Sequence, residues 1–102
     1  MKPHLERRSA ARHACRVEAI LHHGVERCHA MILDYHDTGL QIWVRDVLIS
    51  GTDVVLNVGA FEVDARVLWC QQKSAGLVLL EPMDEVFRMM LDRAKAANAA
   101  PE

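Results

Sequence analysis

The chain has 102 residues, a length that fits one compact domain and excludes two ordinary ones. Hydrophobic residues make up 51% and charged residues 25%, which is the composition of a globular protein and not of a disordered one. The formal net charge of −2 argues against a nucleic-acid polymer as a partner, because no basic field covers the whole protein.

Residues 1–12 form a basic segment without a sustained apolar pattern, which predicts a flexible N-terminal arm. The basic charges are crowded into the first sixteen residues, at Lys2, Arg7, Arg8, Arg12 and Arg16. Such a cluster suits a small anionic ligand better than a long polyanion. The segment has no apolar signal-peptide core, and no apolar run is long enough to insert into a membrane, so we expect a cytoplasmic protein.

Six segments are predicted to be short strands, most of them from alternating apolar and polar residues and the last from a short, wholly apolar run. In chain order they are 15–21, 26–34, 40–45, 54–58, 61–70 and 77–80. Glycine or other turn residues stand at each corner between them. Short strands at this regular spacing predict an all-β antiparallel barrel or sandwich and not a parallel sheet.

After Pro82 the apolar period changes to that of a helix. The residues expected on its apolar face are Val86, Phe87, Met90, Leu91 and Ala94. This face needs a surface to cover, which the open end or side of a small barrel would provide. We therefore predict one domain over residues 13–97, in which the helix packs on the barrel, and a frayed tail over 98–102.

The cysteines and histidines raise the question of a metal site. The three cysteines are an odd number without a C-x-x-C pair, so we expect free thiols in a reducing compartment. The candidate metal ligands are His22, His23, Cys28, His29 and His36. Neighbouring strand residues point to opposite faces, so the pairs 22/23 and 28/29 cannot contribute fully. Zinc-type spacing is also missing, and we predict no metal site.

An enzyme is not predicted either. The sequence has no glycine-rich phosphate loop ahead of a helix and no nucleophile elbow. Asp34 and His36 lie near each other in sequence, but nothing places a thiol beside the histidine. We therefore assign no catalytic residues and no cofactor.

Two short motifs stand out, and with them the chain resembles the PilZ domain family. The family signature is R-x-x-x-R in an N-terminal arm, followed about two strands later by [D/N]-x-S-x-x-G. Arg8-Ser9-Ala10-Ala11-Arg12 matches the first part and Arg7 precedes it. Asp34-Tyr35-His36-Asp37-Thr38-Gly39 matches the second, with His36 in place of serine. The late segment around Trp69 also resembles the family's last hairpin, and the resemblance extends over residues 7–82.

The resemblance implies a six-stranded antiparallel β-barrel with a C-terminal helix that binds cyclic di-GMP, a bacterial second messenger. The residues it implies for the ligand are Arg7, Arg8, Arg12, Asp34, His36, Gly39 and Trp69. The chemistry is sensible, because an arginine fork matches phosphate oxygens and the O6/N7 edge of guanine. A carboxylate accepts from the N–H donors of guanine. The arm would order on binding and an unidentified partner protein would receive the signal.

Plainer interpretations stand beside this one. The arginines of the arm could be solvated, Asp34 and Thr38 could satisfy turn backbone, and Gly39 could serve backbone geometry alone. Trp69 could be a packing residue. The barrel as a whole could have lost its nucleotide and act as a protein-interaction module through its helix or an exposed sheet face, for example in motility or pilus assembly.

Overall fold

The computed structural model describes the backbone of residues 12–99 and the side chains of residues 12–95. Most of the predicted arm, including Arg7 and Arg8, lies outside the described residues, as do residues 100–102 of the predicted tail.

Six antiparallel strands close into a barrel, and one helix follows them, as the resemblance implied. The elements are β1 (His13–His23), β2 (Glu26–His36), β3 (Gly39–Val44), β4 (Asp53–Val58), β5 (Phe61–Gln71), β6 (Ser74–Leu79) and α1 (Glu85–Ala99). Around the barrel the strand order is β1-β2-β3-β6-β5-β4. Closure gives each of these strands a partner on both sides over at least part of its length, which limits the usual route to edge-to-edge aggregation.

The barrel interior is filled by the inward half of each alternating strand. Its fully buried members include Leu21, Ile32, Ile42, Leu56 and Val67. β1, β2 and β5 each have 11 residues and each carries a register shift typical of a β-bulge. A bulge bends and twists a long strand, which lets it follow the curved wall.

The strands are longer than the sequence predicted, and the last hairpin is tighter. We expected a loop over residues 71–76, but β6 already begins at Ser74, and only Gln72 and Lys73 form the turn. Both have positive φ, 48° and 69°, as a two-residue turn of the primed type requires. Glycine or asparagine normally marks such a turn in a sequence. Gln72 and Lys73 are neither, so the turn could not be predicted from the sequence.

The helix covers one end of the barrel. Oδ1 of Asp84 accepts from the amides of Val86 and Phe87 at 2.8 and 3.0 Å, which caps the helix N-terminus. Phe87 and Leu91 are buried as predicted, but Val86 is 60% exposed, because the stripe in contact with the barrel is narrower than the predicted face. α1 runs to Ala99, two residues beyond the predicted domain end.

The loop between β3 and β4 closes the other end. Leu48 is buried there, and its amide donates to Sγ of Cys70 at 3.4 Å. Its neighbours Val47 and Ile49 are exposed, so Leu48 is the residue of this apolar run that packs against the core. The cysteines are all unpaired, as predicted.

Candidate ligand-binding site

The stretch from Asp34 to Gly39 is mostly strand and not the polar corner that we expected. Asp34 and His36 lie in β2, Gly39 begins β3, and only Asp37 and Thr38 form the turn. The register shift between Ile32 and Asp34 moves the alternation by one position. Asp34 and His36 consequently share the outer surface of the barrel, where a ligand can reach them.

Asp34 is the residue with the least satisfied environment in this region. Nη2 of Arg12 lies 3.1 Å from its Oδ1, and the side chains are 51% and 19% exposed respectively. The distance makes an ion pair, but no guanidinium N–H is aligned with the oxygen. Oδ1 is therefore a buried acceptor that receives no hydrogen bond from residues 12–95. The pair brings together one residue from each of the two motifs.

A row of cross-strand partners extends from Asp34 around the outer surface. Asp34 pairs with Gln41 of β3, Gln41 with Gly76 of β6, and Gly76 with Trp69 of β5. A Cβ on Gly76 would collide with the indole Nε1 of Trp69, so the ring lies over this glycine. The row thus places Trp69 on the same surface as Asp34, three strand spacings or about 14 Å away.

Gln41 is a member of this row that the sequence analysis missed. It is partly exposed and lies between Asp34 and Gly76. A signal was present, because Gln41 stands two residues after Gly39 and side chains at that spacing share a face. Its amide offers both donors and an acceptor.

His36 and Gly39 are in contact with each other. The amide of Thr38 donates to Nδ1 of His36 at 3.4 Å, and the ring lies over Gly39. A Cβ at Gly39 would lie 2.8 Å from the carbonyl oxygen of Leu77 and 3.0 Å from Nε2 of His36. Gly39 is therefore required by the close approach of β3 to β6, whatever its role toward a ligand.

The residues between Asp34 and Gly39 connect the site to the helix. The hydroxyl of Tyr35 donates to Asp92, and Arg88 donates to Asp37. Burial, followed by Asp92, raises the pKa of Tyr35, so the phenol stays protonated. Arg88 lowers the pKa of Asp37, so this carboxylate is charged at neutral pH.

A third polar contact joins α1 to the start of β1. Nζ of Lys95 lies 3.3 Å from Nδ1 of His13, whose ring packs on Tyr35 at a centroid distance of 5.1 Å. His13 follows Arg12 directly, and Tyr35 follows Asp34. The helix therefore contacts the immediate neighbours of both members of the Arg12–Asp34 pair.

Comparison with known proteins identifies the class. A family model described as the PilZ domain matches residues 6–96, and the chain belongs to the PilZ domain family. PilZ domains are cyclic di-GMP-binding effector domains, not enzymes, and they act through partner proteins. No curated protein matches the chain significantly. Between residues 12 and 99, no helix combines the length and apolar character needed to cross a bilayer.

Proposed function

We propose that the protein is a receptor for cyclic di-GMP that binds the nucleotide on the outer barrel surface around Asp34 and signals to a partner protein. The observation that supports this most is the buried Oδ1 of Asp34, which lacks a hydrogen-bond donor within the described structure. The ion pair with Arg12 meets the charge of this oxygen but gives it no aligned hydrogen bond. A ligand that brings N–H donors to the carboxylate would add one.

Guanine has the donors that Asp34 lacks. The carboxylate of Asp34 can only accept hydrogen bonds, and the N–H groups on one edge of guanine can only donate them. Arg12 lies beside it with half of its side chain exposed, so its guanidinium is available to a phosphodiester. Arg7 and Arg8, from the same motif, would add two further cations to the phosphates.

The other end of the row suits the second base. Trp69 is 39% exposed and has Gly76 beneath its ring. A base stacked on tryptophan gains about 1–3 kcal/mol. Gln41 lies between Asp34 and Trp69 and would hydrogen-bond whatever part of the ligand crosses β3.

His36 has a chemistry that can replace the family's serine. Because Nδ1 accepts from the Thr38 amide, the neutral ring carries its proton on Nε2. Nε2 is then a donor on the outer surface, near Gly39. Such a donor would hydrogen-bond a phosphate oxygen or an acceptor of guanine. A serine hydroxyl at this position would donate the same kind of hydrogen bond to the ligand.

The helix supports the second half of the proposal, transmission to a partner. Val86 and Met89 are 60% and 54% exposed on α1, so the helix presents apolar surface to the solvent. The contacts of Asp37 with Arg88 and of Tyr35 with Asp92 join this helix to the site. Since cyclic di-GMP is an intracellular bacterial messenger, we expect the protein to act in the bacterial cytoplasm.

The same exposed apolar residues, Val86 and Met89, favour one alternative, a barrel that binds a partner without any nucleotide. Calorimetric titration with cyclic di-GMP, with GTP as control, separates the two. We expect saturation at micromolar concentration and loss of the heat in Arg8→Ala, which removes one arginine of the first motif and lies away from α1 in sequence. Absence of heat from folded wild-type protein would favour the interaction module.

A further inference from the structure

A second cluster of polar side chains lies where β1 ends and β2 begins. His23 is the last residue of β1, Cys28 lies near the start of β2, and Asp46 follows β3. His23 shares a strand face with Leu21, which is fully buried, and Cys28 is the cross-strand partner of Leu21. His23 and His13 are the two ends of β1, so the cluster lies at the opposite end of this strand from the contact of His13 with the helix.

The three side chains converge closely. Nε2 of His23 is 3.1 Å from Oδ2 of Asp46, and a ligand atom from each of His23, Cys28 and Asp46 lies within 4.8 Å of the other two. All three residues are partly buried. The pKa of Asp46 is lowered, first by the hydrogen bond from His23 and further by the one from Cys28, although burial opposes this.

These donors are the ones that zinc prefers. Zinc binds imidazole nitrogen and carboxylate oxygen at about 2.0–2.2 Å and thiolate at about 2.3 Å, so tetrahedral ligand atoms lie roughly 3.3–3.8 Å apart. The His23–Asp46 distance of 3.1 Å is already close to this range. The wider separations within the cluster require only a small closing movement of half-buried side chains.

Neighbouring residues of a strand point to opposite faces, so His22 and His23, or Cys28 and His29, were not expected to contribute together. The structure brings one member of each pair together and adds Asp46, which follows β3 and was not among the candidate ligands predicted from the sequence.

We propose that His23, Cys28 and Asp46 form a binding site for zinc or a similar late first-row divalent cation. Three protein ligands would leave the fourth tetrahedral position to water. Binding converts the Cys28 thiol to a thiolate, and the released proton passes to the buffer, so affinity should rise with pH. The bound ion would join the β1–β2 hairpin to the loop that carries Leu48 and would stabilise this end of the barrel.

Cobalt titration of the full chain tests the site directly. We expect one Co²⁺ per chain with a thiolate-to-cobalt absorption band, and displacement of the cobalt by Zn²⁺. Zinc at a hundredfold excess over its Kd should raise Tm by several degrees. Cys28→Ser should abolish the thiolate band, and His23→Gln and Asp46→Asn should each weaken zinc at least tenfold in competition with a chromophoric chelator.

Two matched controls use the neighbouring residues of the same strands. His22→Gln and His29→Gln change the adjacent histidines, which alternate to the other face, and should leave zinc affinity within twofold of wild type. Circular dichroism establishes that each variant is folded, and if Cys28→Ser fails to fold, His23→Gln decides. Cobalt bound without a thiolate band, or equal affinity in His23→Gln and His22→Gln, would overturn the proposal.

Discussion

Two arginine–aspartate pairs lie on the outer surface of the barrel, and they differ in the way that matters for function. Arg66 donates from Nε to Oδ1 of Asp53 at 2.7 Å and from Nη2 to Oδ2 at 3.4 Å. Arg12 approaches Asp34 to 3.1 Å without an aligned hydrogen bond. Asp53 is 58% exposed and Asp34 only 19%.

The two pairs differ in hydrogen bonding: both carboxylate oxygens of Asp53 accept from Arg66, whereas Oδ1 of Asp34 accepts no hydrogen bond within the described residues. Asp53 has used its acceptors on Arg66, and the hydrogen bond from Arg66 lowers the pKa of Asp53. Exposed pairs of this kind contribute little to stability. Oδ1 of Asp34 instead is buried and has an ion pair with Arg12 but no aligned hydrogen bond, so under the proposed function it is an acceptor left for the N–H groups of a ligand. The two pairs therefore provide matched variants for testing the site.

Among the residues that the structure describes, the largest effect should come from Asp34→Asn. Loss of a charged acceptor to guanine N–H donors should weaken cyclic di-GMP binding roughly 10- to 100-fold, since hydrogen bonds to charged groups contribute about 1.5–3 kcal/mol. The free energy of unfolding without ligand should change little, because Asp34 loses only an ion pair with a half-exposed arginine and no aligned hydrogen bond at Oδ1. Calorimetry and urea denaturation measure both quantities. Asp53→Asn is the control, and equal affinity in the two variants would contradict the assignment.

Arg12→Ala should have the next largest effect. We expect about a tenfold loss of affinity. This is the lower end of the range for a hydrogen bond between charged groups, because the Arg12 side chain is half exposed to solvent. The salt dependence of binding should also become shallower, because one cation fewer meets the phosphates. Arg66→Ala removes an equally exposed guanidinium from the same barrel surface and should leave both measurements unchanged. A matching loss in Arg66→Ala would mean that the surface acts only through its general charge.

A smaller effect should distinguish the two tryptophans. Trp69→Ala should weaken binding about fivefold, at the low end for one stacked base, and should abolish the fluorescence change on adding ligand. Trp43 is similarly exposed but pairs with Met31 and Ser74, outside the row from Asp34. Trp43→Ala should keep both the affinity and the response. Retention of the fluorescence change in Trp69→Ala would exclude Trp69 from the site.

The smallest effect concerns the connection to the helix. The pKa of Asp37 lies below its ordinary 3.8, chiefly because Arg88 donates a hydrogen bond to it. A lowered folded pKa stabilises the protein above the ordinary value, and this stabilisation is lost as the pH falls through the lowered one. Arg88→Gln should therefore return the Asp37 pKa toward 3.8 in an NMR titration and make the loss of stability in acid shallower.

Arg66→Gln provides the comparison for that titration. It should raise the pKa of Asp53, which Arg66 lowers, and leave the pKa of Asp37 unchanged. Nucleotide affinity should be near wild type in both variants, because neither arginine contacts the proposed site. An Asp37 pKa that does not respond to Arg88→Gln would mean that the helix is not joined to the turn in solution.

The sequence predicted the fold because the fold depends on local pattern. Alternation over 61–70 indicated a strand, and the change of period after Pro82 indicated a helix. The tight turn at Gln72 and Lys73 escaped prediction because two ordinary residues adopt positive φ there, which only the pairing of β5 with β6 enforces. Val86 was assigned to the wrong surface because periodicity does not give the width of a contact stripe.

For the site, the sequence by itself determined which chemical groups are present, namely the arginines of the first motif and Asp34, His36 and Gly39 of the second. Only the tertiary structure decided their surroundings. The bulge before Asp34 directs its side chain outward, and closure of the barrel places Gln41 and Trp69 in one row with it. The ion pair of Arg12 with Asp34 joins residues far apart in sequence, so no local pattern could have revealed it.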